Sequence, residues 1–230
     1  MLNFRKLLIT LFAVLTGIFI CGSGQKVFSQ SLRNESSLIN TPFRIVLDPG
    51  HGGRDSVTRS GGVYEKNIVL TIAKEIRSHL EKSGFEVVMT RNTDEFVPLG
   101  ERAMIKGDVF ISLHANSVAD TIGPSVRSMI KGMEIYTGKS TDGDTVLMNK
   151  NQLLAGKFKE QLTGLRGINC RFVKQKSLAV LNQNRTAAIL IELGFLTNQE
   201  DLAFLTDRNN YQQIADAFIN AIKAYQLALK

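Results

Sequence analysis

Four side chains in this sequence have the types and placement that hydrolytic metal chemistry needs: His51, Glu65, His114 and Glu192. Two imidazoles and one carboxylate, with a fourth position open to water, make the ligand set of a hydrolytic zinc site, where the metal acidifies water and polarises a carbonyl. Glu192 is then free to act as the base that takes the water proton. The alternatives can nearly be exhausted, because the chain has only three histidines. The third, His79, lies fourteen residues after Glu65 in one helical pattern, roughly 20 Å further along the axis, and cannot share a metal with it. Cys170 has no partner thiol once the N-terminal segment holding Cys21 is set aside, so neither a disulfide framework nor a cysteine zinc site is expected.

Three of the four residues end short apolar runs. These are Arg44-Ile45-Val46-Leu47-Asp48-Pro49-Gly50-His51, Val109-Phe110-Ile111-Ser112-Leu113-His114 and Ala188-Ile189-Leu190-Ile191-Glu192. Such runs, bounded by Gly, Pro or Asn, read as buried parallel strands, and ligands bind outside the carboxyl ends of strands in open α/β sheets. Three strand ends are therefore expected on one edge. Glu65 joins them where Gly61-Gly62 hands over to a helix. Val69, Ile72, Ala73, Ile76 and Leu80 then form one apolar helical face that stops at Gly84.

Residues 85–90 read as the next strand, which makes 43–90 a βαβ unit with a right-handed crossover expected. A loop and short helix follow over 91–106, then strands over 132–137, 177–181 and 187–191, a helix over 149–165, and a final helix through Tyr211, Ile214, Ala215, Phe218, Ile222 and Tyr225. No repeat or low-complexity block interrupts them. Alternating elements of this kind predict a single α/β domain, with a mostly parallel sheet and helices on both faces.

The N-terminus reads differently. Arg5 and Lys6 precede an apolar stretch from Leu7 to Ile20, short for a stable span and suited to a secretory leader. With Val27 and Ser29 as small residues at cleavage spacing, residues 1–29 are read as a signal peptide, 30–41 as a polar linker and 42–230 as the catalytic domain. Cys21, followed by Gly22-Ser23-Gly24, is a minority lipoprotein alternative, disfavoured by bulky Ile20. The whole chain carries +7, and removing 1–29 leaves 25 basic against 21 acidic residues, or +4. That balance suits an anionic wall polymer and is also ordinary for a surface. Neither nucleic-acid binding nor a membrane span in the mature form is expected.

Taken together and in order, Asp48-Pro49-Gly50-His51-Gly52-Gly53, Tyr64-Glu65-Lys66-Asn67, Phe110-Ile111-Ser112-Leu113-His114-Ala115-Asn116 and Ile191-Glu192-Leu193-Gly194-Phe195-Leu196-Thr197-Asn198 resemble the motifs of the zinc-dependent N-acetylmuramoyl-L-alanine amidases. The similarity runs from about Ile45 to the C-terminus. It implies one zinc per chain held by His51, Glu65 and His114, with Glu192 as catalytic acid/base and a six-stranded sheet with flanking helices. It also implies a peptidoglycan substrate: the amide joining the muramic acid lactyl group to the first L-alanine of the stem peptide. An exported protein of the periplasm or cell envelope is expected, with a protein activator as a candidate further partner.

The chain departs from the family pattern at Val57, where glycine is common, at Ala187, near a usual proline, and in a short link from Arg102 to the His114 strand. These changes touch loop geometry and substrate fit. Several roles stay open at this level. Asp48 either orients a metal-bound imidazole or shapes the turn before Pro49, and Arg171 either faces substrate carboxylates or lies on the surface. The segment 117–131 either gates the groove or does nothing there. The rival functions are an envelope zinc peptidase or carbohydrate deacetylase, and a non-catalytic wall-binding module, which would have no need for Glu192.

Overall fold

The three apolar runs become neighbouring strands because a segment apolar along its whole length is stable only where both its faces are covered. The structure, a computed structural model, describes residues 42–55, 59–60, 62–139 and 143–230. The segments read as signal peptide and linker, with Cys21, and the loop positions Val57 and Gly61 lie outside the described residues.

In chain order the elements are β1 (Arg44–Pro49), β2 (Arg59–Ser60), β3 (Val63–Tyr64), α1 (Glu65–Lys82), β4 (Glu86–Met89), α2 (Leu99–Met104), β5 (Val109–Asn116), α3 (Pro124–Arg127), β6 (Met133–Thr137), α4 (Thr145–Thr163), β7 (Cys170–Gln175), α5 (Ala179–Asn182), β8 (Ala187–Phe195), α6 (Gln199–Thr206) and α7 (Tyr211–Ala228). Six strands form one sheet in the order β4-β1-β5-β8-β6-β7, while β2 and β3 pair separately. Every pairing in the large sheet is parallel except β6 with β8.

Alternation along each strand divides the sheet into two unlike faces. Ile45 and Leu47, Ile111 and Leu113, and Ile189 and Ile191 point into the main core, beneath Val69, Ile72, Ile76 and Leu80 of α1, Leu154 and Phe158 of α4 and Phe218 and Ile222 of α7. Val46, Phe110, Ala188 and Leu190 point the other way, into a small cluster closed by Val180 and Leu181. Helices cover both faces, as expected, but the second face has only short helices over it. Asp48, Ser112, His114 and Glu192 follow the same alternation onto this thinly covered face, and they are reachable for that reason.

Three expectations need correction. Residues 177–181 are not a strand, because α5 occupies Ala179–Asn182 and turns Val180 and Leu181 into the small cluster. The four-residue apolar run Leu178-Ala179-Val180-Leu181 cannot distinguish the two by periodicity. The sixth strand is instead β7, an edge strand whose exposed Arg171, Lys174 and Gln175 give it no apolar run. Lastly, β5 continues to Asn116 and β8 to Phe195, so His114 and Glu192 stand inside strands rather than at their ends.

Candidate metal and catalytic site

Register assembles the site. Pro49 of β1 pairs with Leu113 of β5, and His114 pairs with Glu192 of β8. The Gly50 N–H donates to Leu113 O at 2.9 Å, and the chain then turns so that His51 adopts φ 58°. A left-handed conformation on a residue with a side chain costs about 1–3 kcal/mol and persists only when its surroundings impose it.

Two buried arginines do so. Arg91 donates from Nε to Pro49 O and from Nη2 to Gly50 O, both at 2.8 Å, while Arg102 donates to Pro49 O at 2.9 Å and to His51 O at 2.6 Å. Gly50 itself must be glycine, because a Cβ there would collide with the His114 ring. Asp48, 1% exposed, accepts from Arg102 Nη1 at 2.8 Å, Ser112 Oγ at 2.7 Å and Thr90 Oγ1 at 2.6 Å. It makes no hydrogen bond to either imidazole and acts on the turn instead, as the counter-ion that lets Arg102 grip it. Asp48→Ala should leave that guanidinium uncompensated and cost about 3–5 kcal/mol of stability, read from urea or thermal unfolding. A loss under about 1 kcal/mol would mean that the pair adds nothing.

Glu65, the first residue of α1, is buried at 3% exposure and joins the two histidines. Its Oε1 lies 2.8 Å from His114 Nδ1 and accepts from the Ala115 N–H at 3.0 Å, while its Oε2 lies 3.3 Å from His51 Nε2. The rings meet edge to face with centroids 4.9 Å apart, and one ligand atom from each of the three residues falls within 4.8 Å of the others. Asp55 Oδ2 sits 2.9 Å from His51 Nδ1, although that nitrogen lacks an aligned hydrogen bond.

The electrostatics agree with the geometry. The Glu65 hydrogen bond pushes His51 up to about 9 against the opposing effect of burial. Burial resists charge on Glu65, yet the His114 and His51 hydrogen bonds hold its carboxyl well below the usual range. Burial opposes charge on His114 as well, but Glu65 and Glu192 raise it. A buried carboxylate that draws protons onto two imidazoles is a site built for positive charge, and two nitrogens with one oxygen at this spacing fit a zinc ion.

Glu192 shares the sheet face with His114. Its Oε2 is buried without a hydrogen-bond partner, and burial, only partly offset by His114, pushes its carboxyl up to about 7. The site residue that sequence reasoning missed is Glu134 of β6, register partner of Glu192 on its other side. Glu134 is buried and accepts from Arg171 Nη1 at 2.6 Å, Tyr136 Oη at 2.7 Å and Asn116 Nδ2 at 3.4 Å. Arg171 is therefore engaged within the protein rather than free for a substrate. The available signal was a lone acid in the otherwise apolar run Met133-Glu134-Ile135.

His79 contacts Glu75 at 3.1 Å and stands outside the cluster, as expected. The segment 117–131 is tied to the Glu192 motif: Val118 N donates to Thr197 Oγ1 at 3.2 Å, and Asn198 Nδ2 to Ser128 O at 2.6 Å. Beside the triad opens a cavity of about 310 Å³, walled by His51 and His114 and lined by Phe96, Val97, Leu99, Leu178, Val180 and Leu190.

Residues 45–224 match the family model described as N-acetylmuramoyl-L-alanine amidase. A curated relative, the "Probable cell wall amidase LytH" of Staphylococcus epidermidis, is 34% identical over 197 residues, covering 83% of this chain and 62% of that protein. The chain thus spans under two thirds of that relative's length. Among solved structures, the N-acetylmuramoyl-L-alanine amidase AmiC2 of Nostoc punctiforme superposes with a TM-score of 0.69 at 32% identity, covering 80% of this chain and 97% of that one. The CwlD amidase of Clostridioides difficile, solved in complex with the GerS lipoprotein, gives 0.68 at 26% identity, covering 82% of this chain and all of its own. A family match across most of the described domain, with fold and residue cluster agreeing, shows that this chain belongs to the N-acetylmuramoyl-L-alanine amidase family.

Proposed function

We propose that the chain hydrolyses the amide between N-acetylmuramic acid and L-alanine in peptidoglycan, using one zinc ion held by His51, Glu65 and His114. The observation that carries the reading is the register pair His114–Glu192, which sets an unpaired, buried carboxylate oxygen beside a two-histidine, one-carboxylate cluster. Zinc bound there would acidify water toward a pKa of about 7 and polarise the scissile carbonyl. Glu192 takes the proton from the attacking water and delivers it to the leaving amine nitrogen. Glu65 holds both rings in place, and Arg91 and Arg102 fix the turn that presents His51.

A peptidase or deacetylase could use the same cluster, but the family match favours the amidase. A binding-only module has no use for the cost of burying Glu192 without a partner. We extend the proposal to residues 1–29 as an export signal, 30–41 as linker and 42–230 as the catalytic domain acting in the cell envelope. Among the described residues, no helix is long and apolar enough to cross a membrane. Because the related CwlD was solved with a lipoprotein, a protein activator is a reasonable partner to seek.

Digestion of purified cell wall, with products identified by mass, tests the function. Stem peptides with a free N-terminal alanine should appear, vanish with chelator and return with added zinc. Cuts between amino acids, or released acetate, would point to one of the rival enzymes.

A further inference from the structure

The cleft past the triad has two unlike flanks. Toward β1 and α2 lies the 310 Å³ cavity, whose only lysine or arginine is Arg102. That guanidinium is already committed to Val97 O, Asp48, Pro49 O and His51 O. The acids on this flank are Asp48, neutralised by Arg102, and Asp55, and beyond the two site histidines the side chains of its walls are apolar. A carboxylate placed among those apolar walls would lose its hydration with nothing in exchange.

Toward β6 and β7 the chemistry reverses. The pairings Glu192 with Glu134, Glu134 with Phe172 and Tyr136 with Lys174 carry the face of Glu192 outward to the sheet edge. Lys176 continues the alternation, held in register by its N–H donating to Thr137 O at 2.9 Å. Lys174 Nζ stands 4.1 Å from the Phe172 ring centroid and Lys176 Nζ 4.9 Å from that of Tyr136, and both residues are exposed. Arg171 is paired with Glu134, but among the described residues neither lysine reaches a carboxylate at ion-pair distance. Aromatic faces position the two ammonium groups without neutralising them. The strip also borders the proposed base, since the Lys176 charge acts on Glu192.

We propose that Lys174 and Lys176 form a subsite for the free α-carboxylate of the stem-peptide residue that follows the scissile L-alanine. The stem then runs along β7, and the uncharged lactyl and sugar side lies over the apolar cavity. This assignment rests on the amidase reading and deepens it. The second stem residue is a glutamate linked through its side chain, so its α-carboxylate is free, and amidation removes the charge while keeping the shape. The enzyme should therefore prefer the unamidated stem.

Binding without turnover decides the question. In a Glu192→Gln background, calorimetry would compare two muramoyl peptides differing only in that carboxylate or carboxamide, with and without Lys174→Gln plus Lys176→Gln. The double change should weaken the carboxylate ligand about 5- to 20-fold and the carboxamide ligand less than about 2-fold, the size expected for two exposed charge-assisted contacts. The paired Lys→Arg changes should restore the difference, and zinc content should not move. In the otherwise active enzyme the double change should appear as a raised KM for the carboxylate substrate. Equal weakening of both ligands, or of neither, would overturn the subsite. Wild-type protein that frees no alanine-terminated peptide would overturn the amidase reading instead, and the binding comparison would still decide the subsite.

Discussion

Glu192→Gln should retain zinc, fold and wall binding while peptide release falls by about 10²–10⁴, the usual loss when a general base is removed. The substitution keeps the shape and one acceptor of the side chain but cannot take a proton. It should fold readily, because the carboxylate it replaces is buried with Oε2 unpaired and held up at about 7 by that burial. The same burial predicts a pH limb. Glu192 works only when deprotonated, so activity should climb as pH rises through its pKa, at or below about 7 because a bound dication draws the value down, and the mutant should lose this limb. Near wild-type release with zinc content verified would mean that another carboxylate is the base, and Glu134, the register partner on the other side, would be the first to test.

His51→Ala or His114→Ala should each strip most of the metal and, with it, activity. Each removes one of three donors from a cluster whose atoms lie within 4.8 Å of one another, and no fourth His, Cys, Asp or Glu among the described residues completes that group. The loss should exceed the roughly 10–100-fold that follows removal of an outer partner of a metal ligand. His79→Ala is the internal comparison: its ring contacts Glu75 on the helix surface, and metal content should not change. Full zinc in both the His51 and the His114 mutants, measured by elemental analysis after dialysis, would end the assignment. The two variants should also differ in stability. His51→Ala keeps the Cβ and therefore the left-handed strain, with Arg91 and Arg102 still clamping the neighbouring carbonyls, whereas His114→Ala opens a gap over Gly50.

The types and order of the chemical residues were legible in the chain itself. Apolar runs mark strands because burial on both faces tolerates little else, so His51, His114 and Glu192 could be assigned to the ends of strands of one sheet. The spacing of Val69 to Leu80 likewise placed Glu65 at a helix start. These signals are local: they depend on the period of side chains along one element.

What lay beyond them depends on partners far apart in sequence. That the apolar run 178–181 would become α5 was settled by the small cluster around Val46, Phe110 and Leu190, and that the polar segment 170–175 would become β7 by its pairing with β6, not by residues 170–182 themselves. The task of Asp48 depends on Arg102, fifty-four positions away, and the engagement of Arg171 on Glu134, thirty-seven away. Register alone placed Glu134 beside Glu192, and only tertiary packing left one face of the sheet thinly covered. A polar residue's neighbours come from the folded sheet, and therefore its charge state and its freedom to meet a substrate do as well.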